Sequence, residues 1–480
     1  MPRFEHVRIP HVFVLLTALV FVVSLTTYVV PSGHFDRETR VIEGSERTLV
    51  VPGTYATLQK TYSTRGVLFG DDAPDGFVRP VSVRGFLTAI PRGLVESADI
   101  VFMIFIIGGS FGILQQSGTI AATIAKLLAT FGHSPPLLTI VVMLALAVGG
   151  STLGMGEEFI PLVPMFLLIA GRLGYDRLYG LALVTLASEV GFAAATTNPF
   201  TVNIAQGIAE LPLNSGLGLR VVFFAIAMTL TIVHLLRYGA RIRRDPSASL
   251  VAHDAGPMPD EAPDLHVFTR RHLLSLAATV AIFAALLFGV QQFGWWLDDL
   301  SGGFLMMGIA GAVICRMRVE EAAHAFVKGM EGMVVAALVV GFARGVTIVM
   351  MDGQILDTLI GTAAAVLATV PRYLSVEGML AFQTTLNFFI PSGSGQAAVT
   401  MPVMTPLADV LGLTRQTAVL AFQFGDGLSN MIIPTSGVLM AMLTLARVPY
   451  TTWLRFVLPL FLQLLGLAAV FLIVAVWIDY

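Results

Sequence analysis

The sequence predicts an all-α polytopic membrane protein built as an inverted structural repeat, with two opposed re-entrant helical hairpins and two interrupted transmembrane helices. Three observations carry that expectation. Of 480 residues, 56% are hydrophobic and 12% charged, where a soluble domain carries about a quarter charged, and the mean hydropathy is +0.82. Apolar runs of about 20 residues recur, each long enough to cross roughly 30 Å of hydrocarbon as a helix, and the regular ten-residue alternation of an outer-membrane barrel is absent. Finally, the two halves of the chain repeat each other's polar interruptions in order. A soluble enzyme is thereby ruled out, and a net charge of −3 without a long basic block leaves no nucleic-acid footprint.

The run 12–30 is too long for a signal-peptide core and lacks an A-x-A-like site behind it, so it reads as an uncleaved first span. Further spans are expected near 98–117, 177–209, 216–238, 271–291, 303–317, 329–351, 414–446 and 453–477, with the first running 10–30. Two other apolar stretches, 136–172 and 375–411, are interrupted midway by GGSTLGMGEE (149–158) and PSGSGQ (391–396). Each reads as a hairpin that enters and leaves by one face, because non-helical backbone at that depth is tolerated only where protein or a wet cavity satisfies it.

Orientation follows from positive charge. Arg237, Arg241, Arg243, Arg244, Arg270 and Arg271 flank the linker 240–270, and Arg3 and Arg8 mark the N-terminus; both are expected on the cytoplasmic side. Segment 34–97 then falls outside, either as a solvated cap or packed over an outer cavity, and the two hairpins approach from opposite faces. Trp295, Trp296, Trp453 and Trp477 fall at span ends, as interfacial anchors do. The amphipathic runs 119–132 and 354–370 either lie along the interface or cross it.

Each half has a "GxI" step (Gly118 to Ile120; Gly353 to Ile355), a hairpin, an "LG" turn (Leu173-Gly174; Leu411-Gly412) and a long interrupted span ending at a proline. Gly156 and Gly395 stand 239 positions apart, Gly174 and Gly412 238, Glu189 and Asp426 237, and Pro212 and Pro449 237. The expected units are therefore 1–239 and 271–480, joined by the linker 240–270. Because they begin on opposite faces, the repeat is inverted, which with broken helices is the architecture of secondary transporters that bind substrate near the midplane.

The breaks are where chemistry is expected. The first interrupted span carries Glu189 followed by Thr196-Thr197-Asn198-Pro199, and the second Asp426, Ser429 and Asn430 followed by Pro434-Thr435-Ser436-Gly437. Proline and glycine free carbonyls that can coordinate a cation, so a Na⁺ at the breaks is possible, and the restarting half-helix offers its N–H groups to an anion. Ionisable groups inside a span are functional by default, which singles out Glu189 and Asp426; the alternative is a protonated, hydrogen-bonded structural carboxyl. At the hairpin tips the candidates are Ser151, Thr152, Glu157 and Glu158, and Ser392, Gly393, Ser394, Gly395 and Gln396, which otherwise need be no more than small turn residues. Adjacent Glu157 and Glu158 are expected to point apart, one to the site and one to the cytoplasmic approach. Arg344 is either a carboxylate clamp or a structural or cavity-wall charge. Thr196, Thr197, Asn198, Ser429, Asn430, Thr435 and Ser436 complete the set of substrate and ion ligands.

At GFAAATTNPFTVNIAQGIAELP (191–212), NFFIPSGSGQAA (387–398), TRQTAVLAFQFGDGLSN (414–430) and IIPTSGVLMA (432–441), the chain resembles the YfcC-type branch of the C4-dicarboxylate anaerobic carrier family, within the ion-transporter superfamily. The resemblance covers nearly the whole chain. It implies a bacterial cytoplasmic-membrane carrier with two opposed hairpins, elevator-type movement and a homodimer, acting on basic amino acids such as arginine and ornithine or on dicarboxylates.

All nine histidines fall in loops or near span ends and there is one cysteine, Cys315, which disfavours a histidine or multi-cysteine metal site. No H-E-x-x-H, and no G-x-S-x-G with a membrane-depth histidine, is present, so no enzyme activity and no cofactor is expected. Glu157, Glu158, Glu189 and Asp426, with no basic residue expected at the same depth, suit a cationic or zwitterionic amino acid, or coupling H⁺ or Na⁺. A cation-coupled C4-dicarboxylate carrier is the alternative; an ion channel or sensor would want a continuous polar stripe, whereas polar residues cluster only at the breaks. The expected partners are a small-molecule substrate and the lipid bilayer.

Overall fold

A computed structural model describes residues 12–42, 45–70, 73–74, 76–131, 133–252 and 268–480. Arg3 and Arg8, the start of the first span and residues 253–267 of the linker 240–270 lie outside the described residues. In chain order come α1 (Val12–Thr26), β1 (Ser32–His34), β2 (Arg37–Ile42), β3 (Ser45–Val50), β4 (Ala56–Lys60), α2 (Thr64–Phe69) and β5 (Phe77–Val78). There follow α3 (Val83–Glu96), α4 (Ala98–Gln116), α5 (Thr119–Phe131), α6 (Pro135–Leu153), a 3₁₀ turn at Glu157–Leu162, α7 (Val163–Arg172), α8 (Arg177–Ala193), α9 (Val202–Ile208) and α10 (Leu217–Arg244). The second half has α11 (Arg270–Phe293), α12 (Leu297–Ile314), α13 (Val319–Gly332), α14 (Val334–Asp352), α15 (Leu356–Leu367) and α16 (Arg372–Asn387). It closes with α17 (Gly393–Val410), α18 (Arg415–Ser429), α19 (Gly437–Leu445) and α20 (Tyr450–Trp477).

Among the described residues seven helices, α4, α6, α10, α11, α12, α14 and α20, are long and apolar enough to cross a membrane. The protein is multi-pass and located in the inner membrane. Helices α5 and α15, with 13 and 12 residues, reach only about 20 Å at 1.5 Å per residue, too short to cross alone.

From α3 and α13 onward the halves correspond helix by helix, beyond the landmarks read in the sequence. A 14-residue amphipathic helix precedes a 19-residue apolar one in each: α3 before α4, and α13 before α14. The packing is reciprocal, α3 lying on α14 and α13 on α4. Glycine makes both crossings possible: a Cβ at Gly93 would collide with the Gly341 carbonyl oxygen, and one at Gly329, the matching position, with the Gly108 carbonyl oxygen. Close backbone approach of this kind is how apolar helices gain contact inside lipid, where burial drives nothing. Ion pairs Arg92–Asp352 and Arg344–Glu96 cross the α3–α14 contact.

Both interrupted apolar stretches form pairs of helices joined at a tip, and each pair packs on the interrupted helix that follows: α6 and α7 on α8, α16 and α17 on α18. The interruptions are narrower than the polar clusters that marked them. Gly149 to Leu153 stay helical and α6 stops at Gly154, at φ +67°; in the second half only 388–392 leaves the helix. Gly393 to Gln396 are the first turn of α17, capped by Ser392, whose Oγ accepts from Gly395 N.

Strands β1–β5 depart from an all-helical expectation. They form a three-stranded sheet in the order β1-β4-β5 and a β2–β3 hairpin, running from Ser32, just ahead of segment 34–97, to Val78. This segment is packed rather than solvated: Asp357 at the start of α15 accepts from Phe35 N at 2.9 Å and from Arg37 at 2.8 and 2.9 Å, Ser32 donates to Gly353 O, and β3 lies on α17 and β2 on α9. Trp453, near the start of α20, is fully buried and donates Nε1–H to Met431 O at 2.9 Å.

Candidate functional site

Helix α8 ends at Ala193 and α9 restarts at Val202; Pro199 between them has no N–H to continue a ladder. The freed groups of this first break are taken up by the neighbouring tip. Thr196 N donates to Ser151 O at 2.9 Å, Thr196 and Ser151 hydroxyls lie 3.0 Å apart, and Ser151 Oγ donates to Ala194 O. Thr197 Oγ1 donates to Thr152 O at 3.2 Å, and Asn198 Oδ1 accepts from Phe200 N at 2.9 Å. Ser151, Thr152, Thr196 and Thr197 thus fasten the break to the end of α6, while Asn198 braces the break itself.

The second break, between α18 and α19, is fastened by a different residue at the same repeat position. Asn387, 236 positions after Ser151, donates Nδ2–H to Asp426 O (2.7 Å), Ser429 Oγ (2.8 Å) and Asn430 Oδ1 (2.7 Å). Gln396 turns away from the break and donates to Gln383 O and Oε1 of α16 at 3.0 and 2.7 Å. Asp426 is wholly buried, and neither carboxyl oxygen has a hydrogen-bond partner among the described residues. It sits behind Gly393, where an added Cβ would stand 3.1 Å from Asp426 Oδ2.

Between the two tips and the two breaks lies a cavity of about 350 Å³. From the expected set it is lined by Glu157, Glu158, Glu189, Ser392, Gly393, Ser394, Asn430, Thr435 and Ser436. Ser151, Thr152, Thr196, Thr197, Asn198, Gly395, Gln396, Asp426 and Ser429 are not on its surface. Both adjacent glutamates reach the cavity, rather than one facing away, because they sit on a 3₁₀ turn that the cavity wraps, and Glu158 Oε2 is held by Gly156 N at 3.0 Å. Glu157 and Asp426 lie within electrostatic reach of Glu189.

The cavity also recruits residues that the sequence reading left aside. Glu96, Ser97 and Asp99 come from the α3–α4 junction, Thr201 from the first break, and Phe200 and Trp296 from one wall, their rings edge to face at 4.7 Å. Arg344, expected as a carboxylate clamp or as a structural or cavity-wall charge, lines it too, its Nε 3.2 Å from Glu96 Oε2. The cavity wall carries five carboxylates, Glu96, Asp99, Glu157, Glu158 and Glu189, against this one guanidinium. Glu96 and Asp99 were hidden because acids at a span end read as solvated. Asn387 was visible as an amide in an apolar run, and Arg220 was visible as an ionisable residue inside a span, by the same rule that singled out Glu189. Among the described residues no group of three or more His, Cys, Asp or Glu is arranged to hold a metal ion.

Comparison with known proteins bears on this arrangement. The family model described as C4-dicarboxylate anaerobic carrier (DcuC) matches residues 9–477. The chain is 33% identical over 469 residues to YfcC of Escherichia coli (strain K12), provisionally named a basic amino acid antiporter, across 93% of this chain and 92% of that protein. It is 27% identical over 496 residues to an uncharacterized protein of Haemophilus influenzae, across 97% of each. Among solved structures, the YdaH transporter of Alcanivorax borkumensis aligns over 98% of this chain and 99% of that chain, at 19% identity and a TM-score of 0.46.

Proposed function

The chain belongs to the C4-dicarboxylate anaerobic carrier family, and from that premise we propose that it exchanges a basic amino acid, of the arginine or ornithine kind, across the bacterial cytoplasmic membrane by alternating access. At the coarser level it is a secondary transporter of small polar or charged solutes, not an enzyme. The proposal places it in the YfcC-type branch of the family.

The observation that carries the substrate class is the charge of the cavity, five carboxylates against Arg344, which is itself spent on Glu96. Such a wall attracts a cationic side chain and repels a dianion unless cations bind beside it. An amino acid also brings an α-carboxylate. Gly393 and Ser394 bring the first turn of α17 to the cavity, and the N–H groups of a helix's first turn favour an anion.

In this reading the ligands are the cavity-lining members of the expected set, and Asp426 and Glu189 carry the coupling H⁺ or Na⁺. Residues 1–239 and 271–480 are two inverted repeats, whose α6–α7 and α16–α17 pairs are re-entrant hairpins that move with the interrupted helices. Helices α3, α4, α13 and α14, locked by their glycine crossings, form the static scaffold of an elevator, and the protein works as a homodimer.

Uptake into proteoliposomes preloaded with arginine or ornithine, then with succinate, tests the proposal while pH and Na⁺ gradients are stepped separately. Accelerated exchange with the cationic amino acids is expected. Exchange with succinate alone reverses the substrate assignment in favour of cation-coupled dicarboxylate transport. If Glu189→Gln and Asp426→Asn both leave uptake and its pH and Na⁺ dependence unchanged, neither carboxylate has the role given to it.

A further inference from the structure

We propose that Arg220 is a positioning residue of the transport cycle, the fixed cation that holds the first break in register with both halves of the protein. Arg220 lies in α10 and is 2% exposed. An ionised side chain within a span is costly and is retained for a reason. Here no ion pair joins it to a carboxylate among the described residues, and one terminal nitrogen of its guanidinium has no hydrogen-bond partner.

Its two bonds run to places that matter. Nε–H donates to the Thr196 carbonyl at 3.3 Å, and Nη1–H to the Tyr480 hydroxyl at 3.4 Å. Thr196 is the residue whose N–H and hydroxyl are tied to Ser151 on the first tip. The Tyr480 hydroxyl donates onward to Gly216 O in the α9–α10 loop, and the Tyr480 carbonyl accepts from Thr414 Oγ1 at 2.5 Å. Thr414 caps the N-terminus of α18, the helix that carries Asp426. A single guanidinium therefore links the tip of the first hairpin, the first break, the α9–α10 loop and the start of the second interrupted helix.

The chemistry favours arginine at this point. A break carbonyl has lost its helical donor, and a buried carbonyl without one is costly. The planar guanidinium supplies a charged donor on one edge while reaching a second acceptor, which an ammonium on a flexible stem does not reproduce. It also withdraws the Thr196 carbonyl from any cation. Among the described residues no such cation is bonded to the second break, where Asp426 stays unpartnered, and the two breaks are thereby made unequal.

The inference rests on the transporter reading only for its transport readout, so its test has a second readout that needs no substrate. In a Cys315→Ser background, Thr197→Cys places a thiol on the half-buried first break. Arg220→Gln is expected to speed maleimide labelling of that thiol severalfold and to lower the maximal rate of [³H]arginine exchange about tenfold or more, with KM moving less than about threefold. Tyr480→Phe, which removes only the second acceptor, should shift labelling the same way by less. Folded Arg220→Gln protein that labels at the parent rate overturns the proposal, as does full recovery of labelling and rate in Arg220→Lys, which would make charge alone sufficient. If Arg220→Gln does not fold, labelling of the Tyr480→Phe protein decides: faster labelling supports the link and an unchanged rate overturns it. A parent protein that fails to exchange arginine defeats the substrate assignment and leaves the labelling comparison standing.

Discussion

At Gly393 the tip of α17 comes within a methyl group of Thr201 in the first break and of Asp426 in α18. An added Cβ would collide with Thr201 Cγ2 and stand 3.1 Å from Asp426 Oδ2, so Gly393→Ala must push the tip off the buried carboxyl. We expect it to reduce the maximal transport rate at least about tenfold while the melting temperature in detergent changes by less than about 4 °C. Gly395→Ala is the contrast, because its added Cβ meets only Ser392 Oγ and Cβ of its own turn, at 3.1 and 3.4 Å, and Ile390 at 3.8 Å; most activity should remain. Glycine has a purely conformational role at Gly174 and Gly412, where φ is +78° and +66° and nothing lies within 4 Å of an added Cβ. Alanine at either turn should cost about 1–2 kcal/mol through the left-handed backbone alone, and equal losses in thermal unfolding would confirm that the two turns are equivalent.

Among the elements, segment 34–97 shows where sequence reasoning lost resolution. The spans were legible because a twenty-residue apolar run has one interpretation in a bilayer, and α4, α10, α11, α12, α14 and α20 stand close to where hydropathy placed them. The strands were not, because each has at most six residues and the helices they pack on, α15, α17 and α9, lie far along the chain. Helices α3 and α13 were missed for a related reason: Arg84, Arg92 and Glu96, or Glu320, Glu321 and Lys328, give each a charged face that reads as loop, while the glycine face packs on the opposite half. Half of the expected ligands line the cavity, since polar punctuation marks a break but does not say which side of it faces the void. Asp357 is the element's anchor, 5% exposed at its side chain and held by Arg37 and the Phe35 N–H. Removing one partner of a buried pair leaves the other charge uncompensated. Asp357→Asn should therefore open the β2–β3 hairpin to limited proteolysis while leaving the α3–α14 crossing intact, whereas an unchanged digestion pattern would mean that β3 is held by α17 alone.

For the whole molecule the question is which helices travel together. Reciprocal packing of α3 on α14 and α13 on α4 makes one block, and the pairs that lie on α8 and α18 make another. The two blocks touch at the cavity, where α19 packs on α14 and a Cβ at Gly437 would approach Val340 Cγ2 to 2.9 Å. If the second block slides past the first, a bond at this contact must stop it. In the Cys315→Ser background, Val340→Cys with Gly437→Cys should cross-link under mild oxidation, abolish transport, and recover when the disulfide is reduced. Ala89→Cys with Gly345→Cys supplies the control, because a Cβ at Gly345 lies about 3.6 Å from the Ala89 backbone within the first block, and oxidation there should leave the rate unchanged. Transport that survives the first cross-link would show that α14 and α19 move as one, and the boundary between fixed and moving parts would have to be redrawn on the far side of α14.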